Sequence, residues 1–355
     1  MVSPSTMDAS VSRTSQMRRE AAEAAERAAR QVRDNRDTVR AAVERLRAAR
    51  PPFAATLARG SSDHAASFAK FLFETRLGLP TLSHAPSTGA LYHATSPAFA
   101  GVPLVAISQS GRSPDLLSAA EDARSKGAVL VALVNDTASP LAGMADVLIP
   151  LGAGPETSVA ATKSFVASLV ALTQIAAEWS DDDTLRGALD GIEDVLDAAW
   201  RQDWSQALAP LTEAPRLFVL GRGPTLPIAG EAALKFKEVA GIHAEAFSSA
   251  EVAHGPMTLV GPGDPVLIFA PRDVARTGLS ERIADFTGRG AVIIANGLAE
   301  DVGGASIVLP GCDAHPVIAP IAQILSFYRL VEALALARGR DPDHPPHLRK
   351  VTRTL

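Results

Sequence analysis

The stretch that decides the fold is "VPLVAISQSGRSPDLLSAAEDARSKGAVLVALVND", residues 102–136. Two apolar runs of strand length, 102–108 and 128–134, enclose a segment of helical composition that begins after the polar loop 109–113. Short apolar runs that do not alternate with polar residues indicate strands buried on both faces of a sheet. A strand, a helix and a second strand in this order predict an α/β fold with a parallel sheet covered by helices.

The same alternation extends along most of the chain. Further strands are predicted at 53–58, 145–150, 216–220, 265–270 and 291–295. Further helices are predicted at 63–78, 158–179, 221–241 and 279–290. Ahead of them, residues 17–50 are rich in Ala, Glu and Arg, which favours two helices divided at Asn35 and ended by Pro51-Pro52.

The second half of the chain repeats the first at a constant offset. Arg59-Gly60 aligns with Arg222-Gly223 (223 − 60 = 163), and the "GAV" at 127–129 aligns with the "GAV" at 290–292 (290 − 127 = 163). Two anchors at one offset predict duplication of one α/β unit, although shared periodicity alone could produce a single match. On this offset "SQSGRS" falls on "PRDVAR", so only the first copy carries a cluster of hydroxyls.

The composition indicates a folded, mildly acidic protein. The 355 residues are 47% hydrophobic and 21% charged, enough for one large core or two ordinary ones. A net charge of −5 argues against a surface for duplex nucleic acid, and the arginines of 17–50 are interpreted as a solvated helical face. Cys312 is the only cysteine, which excludes a disulfide framework and a cysteine metal site.

The sequence also bears on location. We find no apolar stretch of about 18 residues, so no membrane span is expected. The polar start, residues 1–16, lacks the apolar core of a secretory signal and is expected to be disordered. Together with the single cysteine, these features favour a cytoplasmic protein.

The loop at the end of the quoted strand has the composition of a phosphate-binding loop. Ligands of parallel sheets bind beyond the carboxyl ends of the strands, and a helix start there offers unpaired N–H groups. Gly111 allows a positive φ and close approach of an anion, and no Walker lysine follows. The hydroxyl and amide donors of this loop are Ser108, Gln109, Ser110 and Ser113. The alternative is an ordinary N-cap, which explains Ser113 but none of the others.

A second strand-end loop and a distant stretch supply further polar groups. "RGSSDHA" at 59–65 places Ser61 and Ser62 at the neighbouring strand end, which suits a sugar phosphate better than a nucleotide. Later, Glu231, Lys235 and Glu238 are spaced four and three residues apart and share one helix face. The alternative there is a common surface Glu–Lys pair. Histidines and carboxylates follow at His243, Glu245, Glu251 and His254.

This set of groups fits aldose–ketose chemistry, which needs a base for the carbon acid and a group that moves protons on the sugar oxygens. A metal is not expected, because His344 and His347 flank Pro345-Pro346 and no His-Glu-x-x-His pattern occurs. Lys350 lies in a basic tail that either folds back over an anionic ligand or frays.

Several strings of the sequence, taken in order, resemble the sugar isomerase (SIS) domain family. "ISQSGRSPD" (107–115), "VAATKSF" (159–165) and "EAALKFKEVAGIHAEAFSSAEVAHGP" (231–256) are similar to the isomerase half of glucosamine-6-phosphate synthases. With "RGSSDHA" and the terminal "KVTRTL" (350–355), the chain resembles more closely the stand-alone glucosamine-6-phosphate deaminases of this fold. The resemblance covers residues 53–355.

The resemblance implies two tandem SIS domains, each a flavodoxin-like three-layer α/β/α unit with a parallel sheet, at 51–200 and 201–340. Residues 1–50 form a disordered start and N-terminal helices, and 341–355 form a tail that closes the active site. Synthases also carry a glutaminase domain with a nucleophilic cysteine, whereas about 50 helical residues precede the first unit here. Arg59 replaces a cysteine of the synthase motif, Arg112 an acidic residue and Ala253 a lysine. These departures favour ammonia release over amino transfer.

The resemblance also implies roles for individual residues. Glu238 is the base that moves a proton between C2 and C1, and His254 assists ring opening from the partner subunit of a homodimer with shared active sites. Glu231, Lys235 and Lys350 orient the sugar or stabilise the developing negative charge. The remaining substrate-binding residues are Ser61, Ser62, Ser108, Gln109, Ser110, Ser113, Val159 and Ala161, the last two through backbone groups.

The expected reaction is therefore conversion of glucosamine 6-phosphate and water to fructose 6-phosphate and ammonia, with no cofactor, metal, nucleic acid or membrane partner. A deaminase or isomerase acting on galactosamine 6-phosphate or a fructosamine 6-phosphate is the nearest alternative, because a phosphate-binding loop does not read the configuration of a hydroxyl. The alternative of another class is a non-catalytic regulator that senses a sugar phosphate.

Overall fold

The computed structural model describes residues 14–297 and 302–350. It begins with three helices, α1 (Gln16–Ala22), α2 (Ala24–Asp34) and α3 (Arg36–Ala49). Asn35 separates α2 from α3 as predicted, but a further break falls at Glu23. The expectation of disorder over 1–16 is wrong for its last residues, because the Ser15 hydroxyl accepts from Arg18 N and caps α1. Residues 1–13 lie outside the described residues.

The first α/β unit is a five-stranded parallel sheet with the strand order β2-β1-β3-β4-β5. Its strands are β1 (Ala54–Leu57), β2 (Thr81–Ser83), β3 (Pro103–Ser108), β4 (Val129–Val134) and β5 (Val147–Pro150). Its helices are α4 (Ser61–Leu72), α5 (Pro86–Ala90), α6 (Pro114–Ser125), α7 (Pro140–Met144) and α8 (Lys163–Ser180). Three short helices lead to the second unit: α9 (Asp183–Asp190), α10 (Ile192–Arg201) and α11 (Leu208–Thr212).

The second unit has the same topology, with the order β10-β9-β8-β6-β7. Its strands are β6 (Arg216–Gly221), β7 (His243–Ser248), β8 (Pro265–Phe269), β9 (Val292–Asn296) and β10 (Ile307–Leu309). Its helices are α12 (Leu226–Lys235), α13 (Leu279–Gly288) and α14 (Ala319–Ala337). A π-helical turn ends α4 at Phe73–Leu77 and α12 at Phe236–Ala240, again 163 residues apart (236 − 73). The predicted α/β fold with two tandem units is confirmed.

The chain differs from the sequence-based expectation at several elements. Three strands were not predicted: β2 and β10 have only three residues each, and β7 has polar and charged residues among its apolar ones. Helices α5, α7, α9, α10, α11 and α14 were not predicted either. The long helix expected at 158–179 begins only at Lys163 in α8, and residues 158–162 form a loop. The domain boundaries proposed at 51, 201 and 341 stay a prediction.

One core joins the two units. Alternate residues of β3 face opposite sides of the sheet, so that Val105 and Ile107 belong to the shared core while Leu104 and Ala106 belong to an outer core under α6. The shared core also contains apolar residues of α1–α4, α8, α12 and α14. The helices between the two sheets therefore fix the position of one unit against the other.

The longest helix of the core corrects one expectation about membranes. α14 has 19 residues and is long and apolar enough to cross a membrane by length and composition, although no such stretch was expected from the sequence. In the folded chain 83% of that segment is buried inside the protein, as in the core helix of a soluble domain. A cytoplasmic location stays a prediction.

The contact between the two units predicts a site where a methyl group is not tolerated. At Gly230 in α12, an added Cβ would lie 2.7 Å from Nδ1 of His64 in α4. We expect Gly230→Ala to lower the free energy of unfolding by about 1–3 kcal/mol through overpacking, measured from urea unfolding curves. The control is Gly187→Ala in α9, where no atom lies within 4 Å of the added Cβ. There the higher helix propensity of alanine should raise the free energy of unfolding by about 0.5–1 kcal/mol. Equal effects of the two changes would contradict the close approach.

Candidate active site

A cavity of about 330 Å³ lies at the carboxyl ends of β1 and β3, between the first unit, the end of α12 and the C-terminal tail. Most of the predicted site residues line it: Ser61, Ser62, Ser108, Gln109, Ser110, Ser113, Val159, Ala161, Lys235, Glu238 and Lys350. Two predicted residues, Glu231 and His254, do not. The fold thus brings three distant parts of the sequence to one cavity.

The hydroxyl-rich loop turns tightly at the end of β3. The Ser108 hydroxyl accepts from Gly111 N at 3.0 Å, and Gly111 has φ +61°. A Cβ at position 111 would lie 2.7 Å from Cβ of Ser139, so glycine is required for both conformation and space. The tight turn places Ser108, Gln109, Ser110 and Ser113 together on the wall of one cavity, where their polar groups suit an anion.

Ser113 decides between the capping and binding interpretations of this loop. It is the N-cap residue of α6, but its side chain makes no hydrogen bond to the helix. Ser113 is one of the residues that line the cavity. The geometry therefore favours a binding role, because a simple N-cap side chain would bond the N–H groups of the first turn.

Two arginines tie the strand-end loops together. Arg59, which follows β1, donates from Nε and Nη2 to Asp115 Oδ2 at 2.9 and 2.6 Å, and both residues line the cavity. Arg112 pairs with Asp136 Oδ2 at 2.8 Å on the surface beyond β4. Both pairs brace the loop around Gly111. The two arginines could be identified from the sequence, but their partners could not, because the paired carboxylates lie 56 and 24 residues further along the chain.

Lys235 is the buried cation of the site. Its ammonium lies 3.0 Å from Ser61 Oγ, 2.6 Å from Glu238 Oε2 and 3.4 Å from Glu231 Oε1. Burial would lower the pKa of Lys235, but the two carboxylates outweigh burial and raise it. The lysine is therefore an ammonium at neutral pH, and it orients the Glu238 carboxylate at the cavity wall.

Glu231 lies behind this wall instead of on it. It is fully buried, and its Oε1 accepts from Ser61 Oγ and from the Tyr328 hydroxyl, both at 3.1 Å. Burial raises the pKa of Glu231 to about 7, with a contribution from Glu238, although Lys235 acts in the opposite direction. Its position supports an indirect role, in which Glu231 holds Ser61 and Lys235. The spacing of residues along a helix could not distinguish this role from direct contact with the substrate.

Glu156 is a site residue that sequence reasoning missed. Its buried carboxylate accepts from Thr162 N at 2.9 Å, from Ser164 N at 3.1 Å and from Lys350 Nζ at 3.2 Å. Burial alone would raise the pKa of Glu156, but Lys350 and these hydrogen bonds hold it below its ordinary value. The tail therefore folds back, as one of the two interpretations of Lys350 expected. The sequence feature that could have identified Glu156 is its position as an acidic residue in the Gly-Pro-rich loop just before Val159.

His254 lies in a short 3₁₀ segment, Glu251–His254, and its side chain is exposed outside the cavity. Its expected role in the site of a partner subunit stays a prediction. His64, in contrast, is close to the site lysine: burial and the Lys235 and Lys237 charges lower its pKa to about 4. Within residues 14–297 and 302–350, no cluster of three or more His, Cys, Asp or Glu side chains could hold a metal ion.

Ser113 gives a test that separates binding from capping. Since its side chain makes no capping bond, Ser113→Ala should leave the free energy of unfolding within about 0.5 kcal/mol of the wild type. If Ser113 binds a phosphate, loss of its hydrogen bond to a charged oxygen should weaken phosphate binding about tenfold, measured by calorimetry with fructose 6-phosphate as the probe.

The control for Ser113→Ala is Asp182→Ala, which removes a true cap, since Asp182 Oδ1 accepts from Leu185 N at 3.0 Å. That change should cost about 1 kcal/mol of stability and leave binding unchanged. The reverse pattern would make Ser113 a structural cap.

Glu231 gives a pH-dependent test. Its pKa is about 7 in the folded chain against an ordinary value of 4.5, so the native carboxyl keeps a proton that the unfolded chain releases between these values. This contribution to stability is present below pH 4.5 and is lost as the pH rises through 7. Relative to Glu231→Gln, the wild type should lose about 1–3 kcal/mol of unfolding free energy between pH 5 and pH 8.

The measurement is urea unfolding of both proteins at several pH values, with the exposed Glu26→Gln as the control. A difference between wild type and Glu231→Gln that stays constant with pH would contradict the raised pKa.

Comparison with known proteins identifies the family of the chain. A curated relative, a glutamine–fructose-6-phosphate aminotransferase [isomerizing] from Halobacterium salinarum, is 35% identical over 313 residues, which cover 83% of this chain and 50% of that protein. The chain spans about half the length of the curated relatives that it matches.

Solved structures share the whole architecture. A Silicibacter pomeroyi protein proposed to be a phosphosugar isomerase is 43% identical, with a TM-score of 0.87 over 93% of this chain and 100% of that one. A glucosamine-6-phosphate deaminase from Thermotoga maritima is 18% identical, with a TM-score of 0.77 over 96% of this chain and 100% of that one, which shows the fold alone. The family model of the SIS domain matches residues 54–178 and 210–295, more than half of the chain, and the protein belongs to the SIS domain family.

Proposed function

We propose that the protein is a sugar-phosphate isomerase that releases ammonia, converting glucosamine 6-phosphate and water to fructose 6-phosphate and ammonia. The observation that carries this proposal is the Lys235–Glu238 pair, 2.6 Å apart, on the wall of the cavity whose other side is the hydroxyl-rich loop. One side of the cavity suits a phosphate and the other a proton transfer.

The phosphate is held by the loop after β3 and by the serines after β1. Ser110, Ser113 and Ser62 offer hydroxyl donors, and Gln109 an amide donor, to oxygens in the cavity. With the phosphate anchored there, the carbon chain of an open sugar extends toward α12 and the tail. Backbone groups at Val159 and Ala161 lie along the cavity and contact the sugar.

Glu238 removes the proton from C2 of the open-chain aldehyde, which gives an enolamine, and returns a proton to C1, which gives a ketimine at C2. Lys235 holds this carboxylate in place, while the ammonium of Lys350, on the tail, stabilises negative charge that develops on the sugar oxygens. The ketimine formed at C2 then adds water and loses ammonia, so that the nitrogen leaves and the water oxygen becomes the ketone oxygen.

Ring opening requires a further proton carrier, and no histidine is among the described residues that line the cavity. We propose that His254, which is exposed on its own chain, completes the site of a second copy in a homodimer. This assignment rests on the family resemblance and on the exposure of the residue.

A second candidate is aldose–ketose isomerisation of a sugar phosphate without loss of nitrogen. The 43% identical structural relative, which is proposed to be a phosphosugar isomerase, favours it. Glu238 would act in the same way in both reactions. Only the group at C2, an amine or a hydroxyl, distinguishes them.

We expect purified protein to release equal amounts of ammonia and fructose 6-phosphate from glucosamine 6-phosphate. Glu238→Gln should lower kcat by about 10²–10⁴-fold, because the amide cannot accept the C2 proton. The control is the exposed Glu251→Gln, which should retain wild-type kcat. Ketose production from hexose 6-phosphates without ammonia would support the second candidate.

The same panel should include galactosamine 6-phosphate and fructosamine 6-phosphate. Turnover of neither hexosamine nor hexose phosphates, with tight binding retained, would favour a sensor over an enzyme. Full activity of Glu238→Gln would show that another group is the base.

A further inference from the structure

The first helix of the chain contacts both segments that close the cavity. α1 lies outside the cavity, yet it reaches the loop 153–162, which carries Val159 and Ala161, and the tail 341–350, which carries Lys350. Neither contact belongs to the chemistry proposed above, and sequence reasoning treated this helix only as a solvated face.

The loop is held by Glu20, whose side chain is 1% exposed. Its Oε1 accepts from Thr157 N at 2.6 Å and from Thr157 Oγ1 at 3.0 Å, and its Oε2 accepts from Ser158 N at 3.2 Å. These two N–H groups directly precede Val159. One carboxylate of α1, which is not among the residues lining the cavity, thus fixes the backbone of the loop.

A second ion pair holds the other end of the loop. Lys163, the first residue of α8, is 1% exposed, and its ammonium lies 2.9 Å from Glu23 Oε2 at the end of α1. The loop is therefore tied to the same helix on both sides of Val159 and Ala161.

The tail is held by Asp343. Its two carboxylate oxygens accept hydrogen bonds from Gln16 N and Met17 N, both at 2.7 Å. These N–H groups belong to the first turn of α1, where the helix itself provides no acceptor. Seven residues later, Lys350 reaches Glu156 at 3.2 Å, and Glu156 is the residue just before Thr157. Loop and tail are thus connected twice, directly through Lys350–Glu156 and indirectly through α1.

α1 itself is anchored to the core. Glu332 of α14, 2% exposed, accepts from Ser15 Oγ at 2.8 Å and from Arg18 Nη1 at 3.0 Å. A rigid helix of the shared core therefore supports the helix that holds the loop and the tail.

We propose that α1 is a clamp that holds loop 153–162 and tail 341–350 in the positions required for substrate binding, with Glu20 and Asp343 as its positioning residues. Neither residue touches the substrate. The proposal rests on the function proposed above, because it assigns these segments to the sugar-phosphate site. An amide cannot replace a carboxylate that accepts hydrogen bonds from two adjacent backbone N–H groups. In the amide, an NH₂ group takes the place of one oxygen and faces a backbone N–H that is also a donor.

The first test compares Glu20→Gln and Asp343→Asn with wild type, using glucosamine 6-phosphate turnover and fructose 6-phosphate binding. Each variant should raise KM and Kd about tenfold while kcat changes less than about threefold, because binding is weakened and the base is untouched. The matched control is Glu26→Gln on α2, whose carboxylate pairs with Arg30 on the surface. Unchanged KM and Kd in both variants would overturn the clamp.

The second test measures whether the tail is held in place, and it does not depend on enzymatic activity. Asp343→Asn should be cleaved by trypsin after Arg349 and Lys350 at least about fivefold faster than wild type, and Glu26→Gln at the wild-type rate. Equal cleavage rates would show that Asp343 does not hold the tail. If the wild type turns over none of the sugar phosphates, the proposed function fails. The cleavage rates and the binding of fructose 6-phosphate still test whether α1 holds the loop and the tail.

Discussion

The buried ammonium of Lys235 is the interaction on which the site depends. A charge removed from water requires acceptors, and this lysine finds them in Ser61, Glu231 and Glu238. Glu231 and Glu238 lie on the lysine's own helix and its π turn in the second α/β unit, whereas Ser61 belongs to the first unit. The hydrogen bond from the lysine to Ser61 therefore forms only when the two units are docked, and docking completes the surroundings of the charge.

The two units share a topology but divide the chemistry. At the offset of 163, the hydroxyls at positions 108, 110 and 113 fall on Pro271, Asp273 and Arg276 of the second unit. In the opposite direction, the site residues Glu231, Lys235 and Glu238 fall on Phe68, Leu72 and Thr75. Each unit thus retains one half of the site, and the shared core holds the halves face to face.

Seven of the ten strands and the serines of the strand-end loops could be predicted, because apolar runs and polar loops at strand ends are local patterns. β2, β7 and β10 could not, since β2 and β10 are very short and β7 has polar and charged residues among its apolar ones. Glu156 and Asp115 escaped notice for a different reason. Their roles depend on partners 194 and 56 residues away, Lys350 and Arg59, and no local pattern records such a distance.

The sequence by itself determined the parallel α/β architecture, its duplication and the glycine turn that follows Ser108, because each follows from periodicity or from the conformational range of one residue. Only the tertiary structure decided that Glu231 lies behind the cavity wall, that Ser113 leaves its helix uncapped and that α1 reaches both closing segments. Burial and pairing arise from chain segments that meet across the fold, and their electrostatic energies exist only once those segments are packed.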